Sequence, residues 1–112
     1  MQIDNIKALL EKNNINETIT IGSLLDENGV GLFQTQGQQP TMYFDNQILE
    51  KPGLQVMVKN KSYEVGFKII MEIFNILNKQ VGFNPQQSPF YLGRNEKGYA
   101  EFSVNYILYM EN

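Results

Sequence analysis

Apolar residues recur along this chain with two different periods, and the places where the period changes mark its elements. Ile3, Ile6, Leu9 and Leu10 fall at helical spacing with Asp4, Lys7, Glu11 and Lys12 between them. That spacing predicts a short amphipathic helix over residues 2–13, ended by Asn13-Asn14. Over residues 18–22 the pattern alternates, Ile19 and Ile21 on one face and Thr18 and Thr20 on the other, as in a half-buried strand. Asp26-Glu27-Asn28-Gly29 reads as a turn, because Asn-Gly readily adopts positive φ, and residues 30–35 then read as the hairpin partner of the first strand.

Periodicity is lost over residues 36–52. Gln36-Gly37-Gln38-Gln39-Pro40 is polar and rich in breakers, and Lys51-Pro52-Gly53 is a turn signal, so this stretch is expected to be the longest irregular one. Leu54, Val56 and Val58 alternate with Gln55, Met57 and Lys59 in a third strand, which leads through Asn60-Lys61 to Ser62, a helix N-cap. The second helix carries the strongest local pattern. Tyr63, Phe67, Ile70, Phe74, Leu77 and Val81 follow one another at spacings of four and three beside a second row of Gly66, Ile69, Ile73 and Ile76, while Lys61, Glu64, Lys68, Glu72, Asn75 and Lys79 line the opposite face. An apolar face this wide suits a helix lying across a sheet, with Gly82 as its stop. Beyond Asn84-Pro85, residues 89–93 form a short strand, residues 95–98 a turn and residues 99–109 the longest strand, with Phe102, Val104, Tyr106 and Leu108 on its buried face. Glu101, Ser103 and Asn105 point the other way, toward water or a partner.

The order α-β-β-β-α-β-β with short connections predicts an α+β fold. Its sheet is antiparallel or mixed, with about five strands and both helices on one face. The length of 112 residues suits one domain over residues 1–112. With 42% hydrophobic and 12% aromatic residues the chain is too apolar for disorder. A formal charge of −3 repels phosphate backbones and anionic lipids, which argues against a dedicated nucleic-acid or membrane binder. Met1-Gln2-Ile3-Asp4 has no basic region followed by an apolar run, and the apolar stretch over residues 65–77 is interrupted by Lys68, Glu72 and Asn75, so neither a signal peptide nor a membrane span is expected.

The chain has no His and no Cys, which removes triads, Cys-His dyads and nearly every zinc site. Carboxylates alone could still serve a glycosidase or a Mg²⁺ site. Asp26-Glu27, Asp45, Glu96 and Glu101 each fall in a turn or on a solvent face, however, so no catalytic, cofactor or metal residue is assigned. Asn28-Gly29-Val30-Gly31 lacks the Lys and the following helix of a phosphate loop.

The element order and several segments together resemble the tail terminator and tail-to-head joining proteins of long-tailed bacteriophages, neck proteins some of which are counted as minor capsid proteins. The segments are Ile19-Thr20-Ile21-Gly22 after a first helix; Leu54-Gln55-Val56-Met57-Val58 running through Lys59-Asn60-Lys61 into Ser62-Tyr63-Glu64; Pro89-Phe90-Tyr91-Leu92-Gly93 followed by Arg94-Asn95-Glu96-Lys97-Gly98; and Glu101-Phe102-Ser103-Val104-Asn105-Tyr106. Lys59 or Lys61 stands where that family often carries an Arg at the strand-to-helix junction. The resemblance implies a virion protein of the tail and neck, assembled in the host cytoplasm. It would form a homohexameric ring that caps the tail tube, stops its polymerisation and offers a surface to the head-closure or neck protein. DNA would pass through the lumen without being gripped, with no cofactor and no membrane involved.

A ring needs a heterologous interface, one patch meeting a different patch on the next copy. The candidate patches are the long stretch around Gln38, Gln39, Met42, Tyr43 and Phe44, and the outward side of the last strand, where Ile107 and Tyr109 are apolar on a polar face. Arg94, Asn95 and Glu96 at a hairpin tip could add polar contacts. The competing readings are a small protein-binding adaptor or assembly chaperone whose long loop holds a peptide, another neck-ring subunit, and an enzyme working through Asp26, Glu27 and Asp45.

Overall fold

In the computed structural model of the chain, which describes residues 3–45 and 47–111, two helices close one face of a single sheet. Helix α1, Ile3–Lys12, buries Ile6 and Leu10; Gln2, where the sequence pattern starts this helix, lies outside the described residues. Asn14 ends it in the left-handed region at φ 69°. Its N–H donates to the Glu11 carbonyl at 3.2 Å and that of Ile15 to the Leu10 carbonyl at 3.1 Å, a Schellman closure that carries Ile15 into the core.

The first strand pairing differs from the expected hairpin. Strand β1, Ile19–Ile21, runs parallel to β2, Gly29–Met42, with Ile19 opposite Val30 and Ile21 opposite Leu32. Parallel neighbours normally need a long crossover. A strand of three residues, however, is only about 10 Å long, so residues 22–28 suffice to run back along it. Gly22 starts the reversal at φ 75°, Thr20 Oγ1 donates to the Ser23 carbonyl at 2.7 Å, and Gly29 opens β2. Asn28 thus makes no hairpin turn; its Oδ1 accepts the Lys61 N–H at 2.8 Å.

Residues 36–52 also differ from expectation. Strand β2 continues to Met42, and β3, Ile48–Asn60, pairs back along it from Gly29 opposite Lys59 to Met42 opposite Ile48, with register shifts between Thr35 and Gln38 and between Gln38 and Thr41. Gly37 lies at the first shift, where a Cβ would collide with the Lys51 carbonyl oxygen and stand 2.7 Å from the Pro52 backbone. The expected loop is thus a two-stranded arm. It stretches the molecule to 52 × 27 × 21 Å and its radius of gyration to 14.8 Å, against about 13 Å for a compact chain of 100 residues.

Helix α2, Tyr63–Asn78, starts as expected, Val65 N–H donating to Ser62 Oγ at 3.3 Å. It stops at Asn78, three residues short of Val81, which is fully exposed. Gly82, expected as its stop, belongs to the turn into β4, Phe83–Pro85, at φ 87°. Strands β4 and β5, Phe90–Arg94, both pair with β6, Ala100–Leu108, and β7, Met110–Glu111, pairs with β3 at Leu49 and Glu50. Among the described residues the sheet has seven strands, not about five. Its main path is β1-β2-β3-β6-β4, and it is mixed because of β1.

One core joins both helices to one sheet face: Ile6, Leu10 and Ile15; Val30 and Leu32; Leu54, Val56 and Val58; Ile69, Ile70, Ile73 and Leu77; and Phe102, Val104, Tyr106 and Leu108. Burial raises the Tyr106 phenol above its ordinary pKa, so it stays protonated and donates to Asn78 Oδ1 at 3.0 Å. The second sheet face is less open than its polar residues suggest. Ser103 is buried, standing in register between Met57 and Phe90 and accepting from Gln55 Nε2 at 3.1 Å.

Gly66 sits inside α2 because a Cβ there would stand 2.7 Å from the Phe102 ring and 3.2 Å from Asn60 Cβ. Helix propensity alone would make Gly66→Ala stabilising by about 1 kcal/mol. The expected outcome is a net loss of about 1–2 kcal/mol from overpacking, seen as a lower urea midpoint with an unchanged slope. A raised midpoint would mean that the ring moves aside freely.

Candidate assembly surfaces

The residues singled out in the sequence fall into three places along the long axis. Met42, Tyr43 and Phe44 form the tip of the β2–β3 arm, where Met42 is 64% exposed and Phe44 fully exposed, with Gln38 and Gln39 exposed along its side. Arg94, Asn95 and Glu96 lie at the opposite end, in the β5–β6 turn. There Asn95 N–H donates to the Tyr99 carbonyl at 2.9 Å and Arg94 Nη1 to the Lys61 carbonyl at 3.0 Å. Between these ends, beside the root of the arm, is Tyr109, 38% exposed, with Lys51 Nζ 5.8 Å from its ring centroid and its hydroxyl accepting from Asn84 Nδ2 at 3.3 Å. Ile107 retains only 9% of its surface, set in register between Gly53 and Asn84, so most of the apolar exposure there belongs to Tyr109.

At the strand-to-helix junction the buried cation is Lys59 and not Lys61. Lys59 Nζ donates to the Leu25 carbonyl at 2.7 Å and stands 3.8 Å from Glu101 Oε2. Lys61 is exposed, donates to the Lys97 carbonyl at 2.9 Å and lies 4.7 Å from the Tyr99 ring centroid. Lys59 therefore ties the 22–28 segment to the sheet.

A further apolar surface combines two α2 residues whose spacing predicts core with a residue of β5. Tyr63 and Phe67 of α2 and Tyr91 of β5 are each 43–44% exposed. They ring the buried Phe102, with centroids 4.9 Å apart for Tyr63 and Tyr91 and 5.2 Å, 6.1 Å and 5.3 Å from Tyr63, Phe67 and Tyr91 to Phe102. Helical periodicity places Tyr63 and Phe67 on the buried side, yet in this first turn and a half of α2 each leans on Phe102 and remains more than two-fifths exposed. A cavity of about 200 Å³ opens between α1, the α2–β4 turn and the end of β6, lined by Ile6, Val81, Phe83, Leu108, Tyr109 and Met110.

The arm tip, the Tyr109 surface and the Phe102 surround offer apolar contact, whereas Asp26 and Glu96 share an open depression at the turn end with Arg94, Asn95 and Lys97. Asp26 and Glu27 lie at the β5–β6 turn end, where Lys97 Nζ is 3.9 Å from Asp26, while Asp45 lies at the arm tip. No group of three acidic side chains among the described residues is placed to hold a metal ion, and no helix among them is long and apolar enough to cross a membrane. The family model described as bacteriophage tail terminator protein matches residues 9–112. The chain belongs to the bacteriophage tail terminator family. No curated protein gives a significant match. A tail terminator is a structural component of the virion that works through other tail and head proteins, and the match begins within α1 and takes in the surfaces above apart from the α1 side of the cavity at Ile6.

Proposed function

We propose that this tail terminator acts as one domain whose copies close into a homohexameric ring on the head-proximal end of the tail tube. There it stops polymerisation of the tube and presents a surface to the head-closure or neck protein. The observation that carries the ring is the β2–β3 arm. It bears a fully exposed Phe44 at one end of a 52 Å molecule, while the other apolar surfaces lie at its root and at the far end. Unlike patches in unlike places make heterologous contacts, which close into rings when the rotation allows.

Gln38 and Gln39 flank the arm contact, Tyr109 belongs to the surface it meets, and Arg94, Asn95 and Glu96 add polar contacts at the far end. A net charge of −3 per copy lets DNA pass the lumen without being held. The ring is a virion part assembled in the host cytoplasm. The peptide-holding adaptor loses its premise, because residues 36–42 and 48–52 pair with each other as strands.

Sedimentation of the purified protein over a range of concentrations, with and without tail tubes, tests this reading. Six-copy rings, or rings on tube ends in electron micrographs, are expected. A monomer that persists at high concentration and leaves tube ends bare would refute it.

A further inference from the structure

From the fit of two surfaces on the same chain, we infer that Phe44 of one copy seats in the cavity at the arm root of the next. The inference rests on the ring reading above and names the contact that makes it. Phe44 is the most exposed large apolar side chain among the described residues, and Met42 and Tyr43 beside it extend the apolar tip. The cavity of about 200 Å³ has walls of Ile6, Val81, Phe83, Leu108, Tyr109 and Met110. A dry apolar cavity of about 150 Å³ is large enough to hold benzene, so a phenyl group fits this one.

A copy cannot fill its own cavity. Met110 and Glu111 pair with Glu50 and Leu49, Leu49 pairs in turn with Thr41, and Phe44 lies three residues beyond that pair, about 10 Å at strand rise. Pairing of Met42 with Ile48 holds the tip out along the arm. Phe44 therefore reaches this cavity from a second molecule. Charge agrees locally. Asp45 follows Phe44, and the Tyr109 wall of the cavity carries Lys51 at 5.8 Å. Asp4 and Glu50 adjoin the cavity through Asn5 and Met110, so the attraction comes from Lys51 on that wall and not from net charge.

The area sets the strength. One aromatic side chain buries roughly 150–250 Å², and even with Met42 and Tyr43 the contact falls short of the roughly 1,200 Å² of a stable pairwise interface. Isolated pairs therefore dissociate, whereas each copy of a closed ring gives one Phe44 and receives another. Assembly should rise steeply with concentration or on a tube end.

The chain has no Cys, so introduced thiols report contacts directly. Phe44→Cys and Val81→Cys alter two fully exposed side chains, and unchanged thermal midpoints would confirm that both variants fold. Mixed one to one and oxidised, they are expected to give mainly the mixed disulfide dimer, and the double variant a ladder of linked copies. Phe44→Cys mixed with Tyr91→Cys samples the aromatic patch at the far end instead. Phe44→Asp should weaken assembly by roughly tenfold or more, and Phe44→Leu should largely preserve it. Rings that form while Phe44→Cys links to Tyr91→Cys, to itself or to neither would overturn the seating and leave the ring intact. Failure of the unmodified chain to assemble, with or without tubes, would overturn both.

Discussion

Phe102→Ala is expected to destabilise the folded chain by about 3–5 kcal/mol, the usual cost of emptying a buried aromatic site. Phe102 is fully buried on β6 and is the hub against which Tyr63, Phe67 and Tyr91 lean at 5.2–6.1 Å. The loss should stay near the upper end because the site collapses poorly. Gly66 presents no side chain to fill it, and the three outer rings are already 43–44% exposed, so they bring little covering structure inward with them. Domains of this size are stable by about 5–15 kcal/mol, so a third or more of the total would go, lowering the thermal midpoint by roughly 12–20 °C. Phe102→Leu, which refills most of the volume, should cost about 1–1.5 kcal/mol. Urea titration of the three proteins decides the matter. A Phe102→Ala cost below about 1 kcal/mol would mean that the aromatic cluster repacks as a loose surface group.

Elements that bury one face against the core were legible in the sequence, and those whose environment is set by something else were not. The two apolar rows of α2 and the alternation of Phe102, Val104, Tyr106 and Leu108 follow from one-sided burial, and all four β6 residues lie in the core. In the arm both faces meet solvent, so Gln36, Gln38 and Gln39 leave no period of two to find, and register is set by backbone pairing instead of by side chains. The parallel placement of β1 depends on a seven-residue return anchored locally by Thr20 to Ser23 and at long range by Lys59 to Leu25, a contact between residues 34 apart that no local pattern encodes. Strand β4 is three residues long and ends in Pro85, a composition that reads as loop.

The candidate surfaces divide in the same way. Met42, Tyr43 and Phe44 stood out as apolar residues in a polar stretch, and the tip of the arm exposes all three. Ile107 was chosen on the alternation of β6, but its burial is decided by its neighbours Gly53 and Asn84 in the adjoining strands. The exposure of Tyr63 and Phe67 is not legible because a helical period reports which side faces the sheet and not how far the sheet covers it, and a five-residue strand such as β5 is too short to reveal which face Tyr91 occupies. The aromatic crowding of Tyr63, Phe67, Phe90 and Tyr91 near Arg94 was the available signal.

Shortening the arm is expected to abolish self-assembly while leaving the fold nearly untouched. Replacing residues 42–48 by Asn-Gly closes the hairpin on the paired Thr41 and Leu49, with a dipeptide suited to a two-residue turn. Leu49 and Glu50 keep their pairing with β7, and among the described residues no removed side chain belongs to the core. The stability change should therefore stay within about 1 kcal/mol, the range for surface changes. Assembly is another matter, because burial of an exposed aromatic contributes about 1.5–3 kcal/mol, and 2 kcal/mol is roughly thirty-fold in a single contact. A closed ring repeats that contact at every seam, so the losses multiply and rings should vanish at concentrations where the intact chain assembles. Sedimentation and tube-end decoration would be compared for the two chains at matched thermal midpoints. If the shortened chain still forms rings, the seam lies elsewhere, and the aromatic surface of Tyr63, Phe67 and Tyr91 becomes the next face to mutate.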